Sequence, residues 1–229
     1  LPETEEVMDL SRVMVGVPTR GRINYNTAQR LLELQERYPQ VTYGVEASGI
    51  SSAHTRHMLI RRFLQTECDV LIQVDDDVIP PMTVFNLAES IYDLTGGVYL
   101  IIMANFNIPF PGAFKWVGTS YAPLDHIFGR TGRIPVDGVA SGCLAVKRHV
   151  YETIKAPFTI PYSEDGVATG SDDLAFCSKA REAGFTIAAD FGVWCDHLPD
   201  GASLNRAQEQ YFDAFVKARA IEKDRLIVS

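Results

Sequence analysis

Three adjacent carboxylates follow a short, mainly apolar run of the chain. Asp75, Asp76 and Asp77 come directly after residues 70–74, Val-Leu-Ile-Gln-Val. Neighbouring carboxylates repel one another, which costs stability unless a cation offsets their charge. Alternate side chains of an extended backbone point the same way, so Asp75 and Asp77 share a side. Two hard oxygen ligands with open coordination positions suit Mg²⁺ or Mn²⁺ shared with a substrate phosphate. The alternative is an acidic turn exposed to water.

A second acidic group opens a predicted helix. Asp172 and Asp173 follow Ser171 at the start of a helical pattern over residues 172–183. Ser171 is a suitable cap, and acids in the first turn favour the helix dipole. A carboxylate at this place also suits a general base that takes a proton from an acceptor hydroxyl. The residues by themselves leave the capping role and the catalytic role open.

Three further features follow predicted strands or interrupt them. His197 comes just after an apolar strand; a lone histidine is more often structural or exposed, but imidazole is also a common metal ligand. Pro18, Thr19 and Arg20 end the first predicted strand, where the arginine either meets phosphates or is solvated. Gly142 lies inside a strand pattern, and its missing side chain permits a ligand to approach the backbone closely.

The elements that must position these residues alternate between strand and helix in the first half of the chain. This alternation, with short connections, predicts an α/β fold with a mainly parallel sheet flanked by helices, and ligands bind beyond the carboxyl ends of such strands. Residues 106–133, rich in Gly, Pro and aromatic residues, predict either a binding loop or an irregular hairpin. The predicted strands cover residues 13–17, 41–46, 70–74, 98–105, 139–146, 185–190 and 193–196, and the predicted helices cover residues 24–38, 53–65, 81–94, 172–183 and 204–221.

Length and charge limit the possible classes. A chain of 229 residues suits one domain over residues 10–199 and a short helical extension over residues 200–229. The formal charge of −8 argues against a broad basic surface that grips nucleic acid. No run approaches the roughly 20 apolar residues of a membrane span. The 4 cysteines form no CxxC pair, so we expect a cytoplasmic protein.

The last predicted helix carries apolar residues on one face. Over residues 204–221 they recur at three- and four-residue steps, so this face is expected to pack on something. The candidates are the core of the same chain, a second copy in a homo-oligomer and a membrane surface. Mixed acids and lysines on this helix disfavour the membrane surface.

In their order along the chain, these features resemble the GT-A glycosyltransferases, especially the family 2-like inverting enzymes. The resemblance spans residues 13–197, and the family usually has Glu-Asp where this chain has two aspartates at 172 and 173. The matching segments are Val17-Pro18-Thr19-Arg20, His54-Thr55-Arg56-His57, Val74-Asp75-Asp76-Asp77, Ser141-Gly142-Cys143-Leu144-Ala145-Val146-Lys147-Arg148, Ser171-Asp172-Asp173 with Arg181-Glu182-Ala183-Gly184-Phe185, and Trp194-Cys195-Asp196-His197.

The resemblance implies a metal-dependent transfer of a sugar from a nucleoside-diphosphate sugar, with UDP favoured as the nucleotide. Asp77 and His197 would hold Mn²⁺ or Mg²⁺, with Asp75 as a metal ligand or ribose contact. Asp173 would be the general base, with Asp172 as the second choice, and a single displacement would invert the sugar. The acceptor stays open among a glycan, a protein, a small molecule and a modified nucleic acid. The donor-binding residues it implies are Pro18, Thr19, Arg20, Glu46, Arg56, Asp75, Asp76 and Gly142.

Three other classes share parts of this pattern. A nucleotidyltransferase would carry a Gly-rich basic loop after its first strand, and residues 18–22 resemble such a loop only weakly. A haloacid-dehalogenase-type phosphatase would carry its Asp-x-Asp motif on the first strand, whereas here the motif follows the third. A non-catalytic nucleotide-sugar-binding module would keep the fold without turnover.

Overall fold

The computed structural model describes residues 9–102, 109–127 and 129–199. The predicted helix over residues 204–221, and with it the predicted extension over residues 200–229, lies outside the described residues. The strands are β1 Val13–Thr19, β2 Thr42–Ala47, β3 Val70–Val74, β4 Val78–Ile79, β5 Leu94–Val98, β6 Leu100–Ile102, β7 Pro109–Pro111, β8 Ala113–Val117, β9 Ser120–Pro123, β10 Arg133–Pro135, β11 Gly138–Val139, β12 Cys143–Lys147, β13 Ile187–Trp194 and β14 Asp196–His197. The helices are α1 Tyr25–Arg37, α2 Ser52–Phe63, α3 Arg148–Thr153 and α4 Asp172–Glu182, with 3₁₀ turns at Leu10–Arg12 and Val84–Leu87.

Seven strands form one mixed central sheet in the order β10-β13-β5-β12-β3-β1-β2. Strand β1 pairs in parallel with β2 and β3, and β13 pairs in parallel with β5. Strand β12 is antiparallel to both β3 and β5, and β10 is antiparallel to β13. The remaining five strands therefore run in one direction, which confirms the predicted α/β class and the mainly parallel sheet.

Helices α1 and α2 cover opposite faces of this sheet. Gly16 of β1 faces α2, because a Cβ atom built there would lie 2.6 Å from the Leu59 side chain. Its neighbours Val15 and Val17 face the other way, where they line a groove with Leu31 of α1. Strands covered on both faces read as continuous apolar runs, which is why the sequence marked β1 and β3 clearly.

The predicted helix over residues 81–94 is wrong. This segment holds only the 3₁₀ turn Val84–Leu87, and Leu94 already begins β5. Strand β5 pairs with β12 and β13 and is fully buried, so long-range pairing overrides the local helical pattern. The predicted strand over residues 98–105 is interrupted in its described part, where β5 ends at Val98 and β6 follows at Leu100–Ile102, and residues 103–105 lie outside the described residues.

The aromatic middle segment is a hairpin in its described part. Strand β8 pairs antiparallel with β9 and with β11, and these three strands form a small sheet beside α4. The described part of the segment therefore has the form of a hairpin, and a binding role for it stays a prediction. No helix in the described ranges is both long and apolar enough to cross a bilayer.

Candidate functional site

The carboxyl ends of β1 and β3 and the start of α2 enclose a cleft of about 260 Å³. Parallel strands present their carboxyl ends at one edge of the sheet, so residues from distant sequence positions meet there. Ser52 and Thr55 join the predicted residues in this cleft; the only local signal for them is Ser51, which caps α2. The cleft is lined by Pro18, Thr19, Arg20, Ser52, Thr55, Arg56, Asp75, Asp76 and Asp77.

A buried ion pair joins α2 to the end of β3. Arg56 is only 5% exposed, and its Nη2 donates to Oδ2 of Asp75 at 2.8 Å. Burial opposes the charge of Arg56, but Asp75 and then Asp173 raise its pKa, so the guanidinium stays charged. Burial also raises the pKa of Asp75, and Arg56 only partly offsets this effect. Arg56 is therefore a positive charge held among the carboxylates of the cleft.

Asp76 has a structural contact within the same cleft. The Thr19 hydroxyl donates to Oδ2 of Asp76 at 2.6 Å, and the backbone N–H of Arg22 donates to the Thr19 oxygen at 3.1 Å. The backbone N–H of Asn24 donates to the Asp76 carbonyl at 2.8 Å. Thr19 and Asp76 together hold the loop after β1 against the end of β3.

Asp77 and His197 meet because β14 pairs antiparallel with β4, which places His197 opposite Val78. The distance from Nε2 of His197 to Oδ2 of Asp77 is 3.5 Å. Nδ1 of His197 lies 2.7 Å from the carbonyl oxygen of Leu100, and because a carbonyl only accepts, Nδ1 carries a proton. This backbone contact orients the imidazole so that Nε2 faces Asp77, as in histidines that bind metals.

The Asp77–His197 pair stabilises the charged form of each group. Burial lowers the pKa of His197, but Asp77 and the Leu100 carbonyl raise it overall. Burial raises the pKa of Asp77, but the imidazole outweighs this effect and lowers it overall. The Asp77 carboxylate and Nε2 of the oriented imidazole suit a divalent cation such as Mn²⁺, which on binding would displace the Nε2 proton.

The described residues contain no ready-made cluster of three or more metal-binding side chains. Asp77 and His197 supply two ligands, whereas Asp75 is engaged by Arg56. Mg²⁺ usually takes one or two carboxylates and completes its shell with substrate phosphates and water. Two ligand atoms that each lie about 2.1 Å from one ion and subtend a right angle at it are about 3.0 Å apart. The distance between Nε2 of His197 and Oδ2 of Asp77, 3.5 Å, is close to this value. The donor set thus fits an ion that is shared with a substrate.

The second acidic pair lies at the start of α4, with Ser171 as the cap residue. The backbone N–H of Ser141 donates to Oδ2 of Asp173 at 3.1 Å. Burial, and then the adjacent Asp173 carboxylate, raise the pKa of Asp172 to about 6. Burial also opposes the charge of Asp173, but Asp172 and Arg56 lower its pKa overall. Asp173 is therefore the member of the pair that ionises first, and Asp172 holds a proton only below about pH 6.

Gly142 and Glu46 lie beside the cleft and not in its wall. A Cβ atom at Gly142 would lie 2.4 Å from the Tyr99 hydroxyl, so the glycine is needed for packing against that ring. Glu46 is opposite Pro18 in the β1–β2 register, and its carboxylate accepts from Arg62 at 3.3 Å. Tyr99 lacks any local sequence signal, because it is one apolar residue among several.

Asp172→Asn should raise the free energy of unfolding by about 1–2 kcal/mol at pH 8 and change it little at pH 4. The pKa of Asp172 rises from its ordinary 3.8 to about 6, so the folded state binds more protons between these values and stability falls as the pH rises through them. The full shift corresponds to about 3 kcal/mol, reduced because the carboxyl is partly solvated. Urea unfolding at both pH values measures the effect. Exposed Glu164→Gln is the control, and an equal gain at both pH values would contradict the assignment.

Comparison with known proteins rests on structure alone. No family model matches the chain, and a search of curated proteins finds no relative. The structure of A197 from STIV is similar at a TM-score of 0.61 and 18% identity, with 86% of this chain and 91% of that chain covered. GalNAc-T7, solved with UDP, GalNAc and Mn²⁺, is similar at a TM-score of 0.50 and 11% identity, with 82% of this chain and only 44% of that chain covered. At such identities these likenesses show the fold, which is GT-A-like.

Proposed function

We propose that this protein is a metal-dependent glycosyltransferase that moves a sugar from a nucleoside-diphosphate sugar, with UDP favoured, onto an acceptor hydroxyl with inversion. The observation that carries the proposal is the Asp77–His197 pair at the carboxyl edge of a GT-A-like sheet, where Asp77 lines the same cleft as the buried Arg56. GalNAc-T7, which shares the fold, was crystallised with UDP and Mn²⁺, in agreement with this chemistry.

Different residues at the cleft would bind different parts of the donor. Pro18 and Thr19 at the end of β1 and Arg20 just after it line the cleft, where they would contact the nucleoside and its phosphates. Asp77 and His197 would hold Mn²⁺ or Mg²⁺, which when bound supplies Lewis-acid stabilisation of the leaving diphosphate. Arg56 holds Asp75 in place, so this carboxylate is positioned for the ribose or for a metal-bound water.

The carboxylate pair on α4 would supply the base. Asp173 is ionised and held by the Ser141 N–H, so it is positioned to take the proton of an acceptor hydroxyl as the hydroxyl attacks the sugar. Asp172 lies next to it and is the second choice for this role. A single displacement with one base inverts the configuration at the sugar carbon. In this proposal residues 10–199 form the catalytic domain, and residues 200–229 form the helical extension.

The proposal is tested with the full chain and a panel of UDP-, GDP- and ADP-sugars, with and without Mn²⁺. We expect one donor to raise the melting temperature only when metal is present, because the ion is proposed to bind the diphosphate of the donor. A ligand at 100 times its Kd stabilises the folded state by about 2.7 kcal/mol. The same donor should slowly release nucleoside diphosphate. Release of nucleoside monophosphate would indicate a phosphatase, and a reaction of the donor with pyrophosphate would indicate a nucleotidyltransferase. Binding without turnover would indicate a non-catalytic module. Each of these three outcomes contradicts the proposal.

A further inference from the structure

We infer that Tyr99 is a positioning residue that holds the metal pair and the base pair in a common arrangement. This inference rests on the proposed function. Tyr99 follows β5 and is only 4% exposed, so its side chain is almost wholly enclosed by the protein. Its ring and its hydroxyl nevertheless contact the two segments that carry the chemistry.

The ring of Tyr99 packs against the imidazole of His197. The two ring centroids lie 5.2 Å apart at an interplanar angle of 75°, an edge-to-face contact. The next residue, Leu100, accepts the Nδ1 proton of His197 through its carbonyl. Residues 99 and 100 thus set both the tilt of the imidazole and the direction of its Nε2 atom.

The hydroxyl of Tyr99 holds the loop before β12. The Gly142 N–H donates to the Tyr99 oxygen at 2.8 Å, and the Gly142 carbonyl accepts from the Asp75 N–H at 2.8 Å. The preceding residue, Ser141, donates its N–H to Asp173 at 3.1 Å. One peptide segment therefore contacts the end of β3 and the start of α4, and the Tyr99 hydroxyl anchors it.

This arrangement demands a tyrosine opposite a glycine. The space in which a side chain of residue 142 would lie is filled by the Tyr99 hydroxyl. Burial raises the pKa of Tyr99 well above its ordinary value, and the charges of Asp75 and Asp173 add to this effect. The hydroxyl therefore stays protonated. Removing the oxygen alone leaves the ring against His197 but releases the Gly142 N–H, and with it the hold on the segment that contacts Asp173.

The test is Tyr99→Phe, measured on the UDP-sugar that the donor panel identifies, with hydrolysis as the turnover and UDP with Mn²⁺ as the binding probe. We expect turnover to fall by about 10- to 100-fold, the scale of a small displacement of a reacting group. UDP affinity should change by less than about threefold, because the cleft walls keep their contacts. Equal losses of affinity and turnover would show a general structural role and overturn the inference.

A double variant separates positioning from mere destabilisation. If Tyr99 acts through Asp173, Tyr99→Phe adds no further loss in an Asp173→Asn background, whereas independent effects multiply. The control is Tyr43→Phe, which removes a buried hydroxyl of β2 outside the cleft lining, and it should keep wild-type turnover. Multiplying losses, or wild-type turnover in Tyr99→Phe, overturn this inference and leave the proposed function intact. No turnover by the wild type overturns both.

Discussion

His197→Ala and Asp77→Ala should each lower the turnover of the UDP-sugar by more than about 100-fold, because even an outer partner of a metal ligand contributes about 10- to 100-fold. Each variant removes one of two side chains whose Nε2 and Oδ2 atoms are 3.5 Å apart. The Mn²⁺-dependent part of UDP binding should be lost in both, as measured by calorimetry across a Mn²⁺ titration.

The chain offers a matched control for this experiment. Asp125 and His126 form a similar pair, with Nε2 and Oδ2 3.9 Å apart, but both side chains are more than half exposed, at 59% and 65%. Neither residue lies at the carboxyl end of β3 or on β14. Asp125→Ala and His126→Ala should leave Mn²⁺ binding and turnover unchanged. Unchanged metal affinity and turnover in the Asp77 and His197 variants would refute the metal assignment.

Asp173→Asn should lower turnover by about 10²–10⁴-fold, the usual cost of removing a general base. The amide has nearly the same shape and can still accept the Ser141 N–H, so the loop and the cleft should keep their geometry. The affinity for UDP with Mn²⁺ should therefore stay within a few-fold of wild type. A hydrolysis assay measures the turnover, and calorimetry measures the affinity.

Asp172→Asn is the companion variant for the same assay. Because the Ser141 N–H contacts Asp173 and not its neighbour, we expect the Asp172 variant to retain most of its turnover. A large loss at Asp172 with little loss at Asp173 would transfer the base role to Asp172. An equal loss of donor binding and turnover in Asp173→Asn would remove the base role from that residue.

Several elements were predictable because their signals are local. Helices α1, α2 and α4 begin at caps Asn24, Ser51 and Ser171, close to the predicted starts. Gly184 follows α4 with a φ of +84°, as expected for a glycine at a helix end. The apolar run of β3 correctly placed the three aspartates at the carboxyl edge of the sheet, where ligands bind in this fold class.

Errors arose where long-range pairing decides the structure. The segment over residues 81–94 carries a helical pattern, yet Leu94 enters a strand that is buried between β12 and β13. The sequence likewise carries no signal for the role of Tyr99, because this role depends on the packing of its ring against His197 and on the contact of its hydroxyl with Gly142. Neither contact leaves a periodic signal along the chain.

The sequence alone determined which chemical groups are present, which local segments carry them and that parallel strands bring several of them to one edge. The tertiary structure alone decided their partners: Asp75 with Arg56, Asp76 with Thr19, and Asp77 with His197. Hydrophobic periodicity reports the local backbone and its buried face, whereas the direction and partner of a side chain depend on strand register and on elements far away in the chain. Three neighbouring aspartates therefore have three different environments, although they read alike in the sequence.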